Sequence, residues 1–340
     1  MKLRIVILGV MFIVVTGCSV SETPSGPVVN DNGNEAPSSA ERKIQITNGV
    51  KHLVPLEKIL SGGPPKDGIP SIDNPQFESV TDADTYLNDA GLGIAVSFNG
   101  IDRFYPNQIL NWHEIVNDEI GDQPLLVTYC PLCGTGIVFD PVIEGKRVEF
   151  GTSGKLFNSN LVMYDRETDS YWSQILGQAV VGPRTGMKLQ LLPHQNVQWK
   201  DWKAAHPNGQ VLSRDTGHSR NYTRSPYGDY ENNREIFFPV DFESDEYHPK
   251  APGWGLEING EHKIYLLEEL DKAAANEDED DVEFIDLSFG PNGMKITYDP
   301  DTRAVQFFDA ATGEEIIGSF GFWFSWYSVH PDTKVFTPEL

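Results

Sequence analysis

The chain has 340 residues, more than a single domain of about 100–200 residues, so two structural units are expected. Its 26 Lys+Arg against 50 Asp+Glu give a net charge of −24, so no nucleic-acid partner is expected: without a compensating basic patch, phosphates are repelled. Apolar residues at 39% and aromatics at 11% suffice for a packed core, and 31 Gly with 23 Pro favour a turn-rich, strand-rich protein over a helical bundle.

The N-terminus carries Lys2 and Arg4, then an apolar run from Ile5 to Val15, then Thr16 and Gly17 before Cys18. Residues 1–17 read as a lipoprotein signal peptide, because the apolar run is too short for a spanning helix of about 20 residues. Val15-Thr16-Gly17-Cys18 has the form of a bacterial lipobox, so Cys18 is expected to be lipidated and to become the mature N-terminus. Residues 18–43, rich in Ser, Pro, Gly and Asn, read as a flexible tether. A protein held to the membrane by its N-terminal lipid, on the periplasmic or cell-surface side, is the expectation; a protein partner is not indicated.

An internal repeat organises the remainder. Gly93 to Leu110 matches Gly253 to Leu270 at an offset of 160; in both, alternating apolar residues lead into Asn-Gly, which supplies the positive φ angles of a tight hairpin turn. Val148-Glu149-Phe150 and Tyr164-Asp165 with Thr168 recur at offset 134 as Val282-Glu283-Phe284 and Tyr298-Asp299 with Thr302. Trp199, Trp202, His206-Pro207 and Val211 recur at offset 124 as Trp323, Trp326, His330-Pro331 and Val335, predicting a short helix stopped by proline in each copy. The expected fold is therefore mainly β with short helices (α+β), in two tandem pseudo-repeated lobes: 44–240, and a shorter 241–340. The acidic run Glu277 to Asp281 reads as a solvated loop.

The offset drops by 26 residues between the first two blocks, so the first copy holds Asn111 to Arg147 where the second holds only Asp271 to Asp281. That extra segment contains Cys130 and Cys133. Ile109, Trp112, Val116 and Ile120 fall at near-helical spacing, which predicts a helix over 106–120 bearing His113. Leu125 to Tyr129 reads as a buried strand, Cys130-Pro131-Leu132-Cys133-Gly134 as a turn, and Gly136 to Asp140 as the returning strand.

In a thioredoxin-type site the first cysteine opens a helix whose dipole lowers its pKa. A Cys-Pro-x-Cys-Gly turn between strands instead resembles the knuckle of rubredoxin-like and zinc-ribbon sites, which supplies two of four metal ligands. With no second Cys-x-x-Cys, the candidates to complete the set with Cys130 and Cys133 are His113 and Met163, whose counterpart in the second copy is Thr297. Such ligands suit a soft ion, Cu(I), or Zn²⁺ where the fourth ligand is His or water. Two other readings use the same cysteines: a thiol-disulfide oxidoreductase, and a non-enzymatic binding scaffold with a structural disulfide. Whether the chain is an enzyme is left open by its residues. Lys155, Asn158 and Trp172 are candidates to line a pocket.

Asn111-Trp112-His113-Glu114-Ile115-Val116-Asn117-Asp118, then Thr128-Tyr129-Cys130-Pro131-Leu132-Cys133-Gly134-Thr135, then Ser153-Gly154-Lys155-Leu156 with Met163-Tyr164-Asp165, carry a family resemblance. The chain resembles the exported prokaryotic domain-of-unknown-function family number 3179, with its Tyr-Cys-Pro-Leu-Cys-Gly-Thr hallmark, from about Asp67 to His330-Pro331. The resemblance implies export and brings no agreed reaction. Asp215-Thr216-Gly217 echoes an aspartic-protease triplet but lacks its hydrophobic strand and its pair. Gly151-Thr152-Ser153-Gly154-Lys155 lacks phosphate-loop spacing and reads as a turn.

Overall fold

Leu125 to Tyr129 has no polar face, and a strand with apolar residues at both parities must be covered on both sides. The computed structural model, which describes residues 42–275 and 282–338, covers it in that way. Leu126, Ile137 and Phe139 pack into one core with Phe150, Leu161, Met163 and Trp172, whereas Val127, Tyr129 and Val138 pack into another with Ile94, Val96 and Tyr105. The signal segment, Cys18, nearly all of the tether and the acidic run 277–281 lie outside the described residues.

The middle layer is a sheet in the order Lys334–Val335, Glu261–Leu266, Pro252–Ile258, Ser319–Phe322, Thr135–Asp140, Gln123–Cys130, Ile115–Ile120, with Gln190–Leu191 also pairing Thr135–Asp140. On one face lies a seven-stranded sheet that includes Phe150–Phe157, Asn160–Asp165, Tyr171–Ser173 and Gln178–Val181. On the other lies a five-stranded sheet in the order Gln195–Gln198, Leu92–Phe98, Ile101–Pro106, Gln210–Leu212, Phe77–Ser79. A meander of Val282–Asp286, Met294–Tyr298 and Val305–Asp309 forms a third core with the second hairpin. The protein is thus mainly β, with five short α-helices among the described residues.

One pairing scheme occurs twice. Gln195–Gln198 runs antiparallel to Leu92–Phe98, which runs antiparallel to Ile101–Pro106, which runs parallel to Gln210–Leu212. Ser319–Phe322, Pro252–Ile258, Glu261–Leu266 and Lys334–Val335 have the same order and directions. Both hairpins turn on Asn-Gly with positive φ at each residue: 53° and 75° at Asn99-Gly100, 53° and 81° at Asn259-Gly260. Helices Trp199–Ala205 and Trp323–Val329 each end at a histidine followed by proline. Strands from both sides of residue 240 share the middle sheet, where Phe320 pairs with Gly136.

The helix expected over 106–120 is not formed. Helix Asn107–Leu110 ends after four residues, and Ile115–Ile120 is a strand in register with Gln123–Cys130, Ile115 opposite Thr128 and Ile120 opposite Gln123. The apolar spacing serves both readings, but Ile115, Val116 and Ile120 are β-branched and buried from two sides, and Gly121 at φ 60° makes a tight return. Residues 151–155 are also not a simple turn: they belong to strand Phe150–Phe157, with a bulge between Thr152 and Lys155.

Candidate functional site

Strand parity places Cys130 on the same face as Leu126, toward the seven-stranded sheet. The turn is closed by the Cys133 N–H donating to the Cys130 carbonyl at 3.1 Å, and both cysteines are free thiols, 2% and 0% exposed. Gly134 leaves the turn at φ 59°, and a Cβ there would meet the Phe322 ring at 2.6 Å. Gly134→Ala is therefore expected to lower stability by at least about 1 kcal/mol from the left-handed backbone alone. An unchanged urea midpoint would show that the turn does not need glycine.

Facing this turn is the tip of the hairpin joining Phe150–Phe157 to Asn160–Asp165. Asn158 and Ser159 adopt φ 50° and 62°, the pair of left-handed residues a two-residue turn requires, and serine is an unusual choice there. The conformation directs the Ser159 carbonyl at both sulfurs: it accepts from Cys133 Sγ at 3.3 Å and, more weakly, from Cys130 Sγ at 3.9 Å. A buried polar clamp holds the two hairpins together. Gln174 Oε1 accepts from Thr135 Oγ1 at 2.7 Å and Asn160 Nδ2 at 2.9 Å, while Gln174 Nε2 donates to Thr128 Oγ1 at 3.1 Å. All four side chains are buried and mutually bonded, which fixes the approach of the two tips.

Glu114 acts electrostatically on the Cys130 thiol. It follows the short helix at φ 60°, outside the usual space for a non-glycine residue, and is buried with Tyr227 OH donating to its Oε1 at 3.1 Å. Burial pushes its carboxyl from the ordinary 4.5 up to about 7. The Cys130 thiol is raised well above its usual value, by burial first, then by Cys133, with the Glu114 charge contributing. Tyr230 is raised by burial and then by Cys133 and Cys130; its hydroxyl and that of Ser159 are buried without a well-formed hydrogen bond. Each hydroxyl carries a proton that it can donate, and the Ser159 side chain and the Phe237 backbone act on Tyr230 against the rise.

A cavity of about 740 Å³ opens over this group. Glu114, Leu132 at the tip of the cysteine turn, and Leu161 line it, together with Trp112, Lys155 and Tyr227. Neither cysteine lines the cavity directly; Leu132, between them in the chain, does.

The structure separates the residues singled out from sequence. Met163 lies in the same core as Cys130 and Cys133 and is fully buried. His113 does not turn to the sulfurs: its Nδ1 lies 2.7 Å from the Pro70 carbonyl and its Nε2 2.7 Å from Tyr222 OH. Burial first of all lowers its pKa to about 4, so the ring is neutral near pH 7, with Nδ1–H donating to Pro70 and Nε2 accepting from Tyr222. Among the described residues no three His, Cys, Asp or Glu side chains gather as a metal-binding group, so Cys130, Cys133 and His113 do not form the expected ligand set. Lys155 lines the cavity, but Asn158 and Trp172 do not. Asn158 is spent on bracing, Nδ2 donating to the Ser328 carbonyl at 3.0 Å and Oδ1 accepting from the Asp241 N–H at 3.0 Å. Trp172 points into the core, its indole N–H donating to Asp165 at 2.9 Å. Sequence pattern does not single out Glu114, Ser159, Tyr227 or Tyr230. A glutamate between His113 and the apolar pair Ile115-Val116 was the one local signal.

The family described as Protein of unknown function (DUF3179) matches residues 66–333. The chain belongs to the DUF3179 family. The DUF3179 match spans Glu114, the cysteine turn, Ser159, Lys155 and both tyrosines, so the whole candidate site lies within the family region. No curated protein and no solved structure is detectably similar to this DUF3179 chain.

Proposed function

We propose that this chain is an extracytoplasmic, lipid-anchored thiol–disulfide exchange protein whose working group is the Cys130–Cys133 dithiol, with Glu114 as its proton acceptor. The observation that carries the reading is the position of Glu114. A carboxyl titrating at about 7 lines the cavity and is an electrostatic neighbour of Cys130. The N-terminal signal and Cys18 support the anchored, oxidising location.

The chemistry balances without a cofactor. Ionised Glu114 takes the proton of Cys130 Sγ–H, so that one negative charge is shared between two acids. As Leu132 moves aside, the Cys130 thiolate attacks one sulfur of a small disulfide, R–S–S–R, and expels R–S⁻, which takes the proton back from Glu114. Cys133 then loses its proton to Glu114 and attacks Cys130 in the mixed disulfide. The second R–S⁻ leaves and is protonated in turn. The net change is protein dithiol plus R–S–S–R to protein disulfide plus two R–SH. Tyr230 OH and Ser159 Oγ are the donors for the transient thiolate.

Reduced chain in a Cys18→Ser background should release two equivalents of 4-thiopyridone from 4,4′-dithiodipyridine in the native state. Cys133→Ser should release one and retain a mixed disulfide. Release only after unfolding would overturn the reading. A second reading, a soft ion (copper or zinc) held by the two sulfurs, is favoured by their common direction toward Ser159. It predicts metal in the purified parent that is lost in Cys130→Ser/Cys133→Ser, together with slowed thiopyridone release until a chelator is added.

A further inference from the structure

We propose that the cavity above the cysteine turn selects small anionic ligands with an apolar body, Lys155 and Arg220 holding the anionic group. The inference deepens the proposed function by naming the substrate class of that cavity, and it rests on the cavity being the site.

The first observation is one of charge. On a chain of net charge −24, basic side chains are readily matched by carboxylates; Lys58, Arg166, Arg184 and Lys203 all are. Lys155 and Arg220 both line the cavity, and neither has a carboxylate partner among the described residues; the Arg220 guanidinium donates to the neighbouring Ser219 carbonyl at 3.1 Å. Among the described residues Glu114 is the only acidic one in the lining, so the two cations outnumber it even when it is ionised, as the exchange requires. An electropositive recess on an acidic protein attracts anions at short range, where repulsion by distant carboxylates is screened over about 8 Å at physiological salt.

The second observation is that Lys155 is placed by a specific backbone device. The bulge between Thr152 and Lys155 shifts the strand's facing, and Gly154 within it sits at φ 69° against the Pro64 carbonyl, where no other residue fits. The third is the cavity's apolar wall: Trp112, Leu156, Phe237 and Phe238, with Phe237 half exposed on a strongly charged protein. A volume of about 740 Å³ lies within the range of small-molecule sites. Apolar walls with two cations in the lining fit an aromatic or short aliphatic carboxylate, sulfonate or phosphate.

Naphthalene-2-sulfonate and neutral 2-naphthol, titrated calorimetrically into the full chain, test this directly. The parent should prefer the sulfonate, and the preference should shrink as salt rises from about 0.05 to 0.5 M. In Lys155→Gln/Arg220→Gln the ratio of sulfonate to naphthol affinity should fall about tenfold. Equal affinities in the parent, or an undiminished ratio in the variant, would overturn the inference. Neither probe is a disulfide, so anion selection is decided whether or not the dithiol proves reactive, and thiopyridone release is decided whether or not the sulfonate binds.

Discussion

Glu114→Gln should slow the exchange of the Cys130–Cys133 dithiol with 4,4′-dithiodipyridine by about a hundredfold at pH 8, the usual worth of a positioned proton acceptor. In the parent, Glu114 is the base only when ionised, so the rate should climb as pH rises through about 7 and then flatten. In the variant the titration of the Cys130 thiol, raised by burial, governs the rate, which should keep climbing through alkaline pH. A variant with the parent's plateau would remove Glu114 from the chemistry. The same substitution has a stability signature with a definite sign. The fold raises the Glu114 carboxyl from 4.5 to about 7, so stabilisation by protonation is full below about pH 4.5 and is gone above about pH 7. Glutamine is neutral throughout. The variant should therefore match the parent at pH 4 and exceed it at pH 8 by up to about 3 kcal/mol in urea denaturation. Loss of activity with gain of stability at one pH is the expected mark of a functional buried acid.

Asp165→Ala should be strongly destabilising, at about 3–5 kcal/mol. Asp165 is completely buried at the end of Asn160–Asp165, where it accepts from Arg184 Nη1 at 2.7 Å, Trp172 Nε1 at 2.9 Å and the Thr168 N–H at 2.7 Å. Arg184 is itself only 7% exposed, so deleting the carboxylate leaves a buried guanidinium with just the Glu167 contact at its other nitrogen. Asp299, in the matching Tyr-Asp-x-x-Thr sequence, accepts from the Asp301 N–H at 2.8 Å, the Thr302 N–H at 3.1 Å and Thr302 Oγ1 at 2.6 Å, but is partly exposed and has no arginine side chain paired with it among the described residues. Asp299→Ala should cost only about 1 kcal/mol, as for a local turn hydrogen bond. Thermal melts of the two variants should differ widely, and equal losses would refute the role of the Arg184 pair.

Much of the fold was legible where local chemistry has one solution. Asn-Gly at 99–100 and at 259–260 can hardly be other than a tight hairpin turn, and proline after His206 and His330 ends a helix wherever it stands. The cysteine turn was legible for the same reason: Cys-Pro-Leu-Cys-Gly between two apolar runs is a hairpin tip, with glycine where φ is positive. Residues 106–120 were misread because Ile109, Trp112, Val116 and Ile120 satisfy a helical period while a strand buried on both faces demands no period at all. The site beyond its cysteines was illegible for a related reason. Ser159 lies 29 residues from Cys130 and Tyr230 a further 71, and they reach it only by the docking of separate hairpins and loops.

Three things about this protein are determined by its sequence alone: the turn chemistry that brings Cys130 and Cys133 together, the acidity of the chain, and the alternation that makes it a β protein. These depend on φ preferences, charge and side-chain parity, which act between near neighbours. Tertiary structure decided the rest. It satisfied His113 with Pro70 and Tyr222, turned Trp172 to Asp165, and buried one Tyr-Asp-x-x-Thr turn while leaving the other partly in water. It also placed Glu114 where burial moves its proton affinity to neutrality. Desolvation is a property of the environment a group ends in, and the residues that supply that environment are distant in the chain.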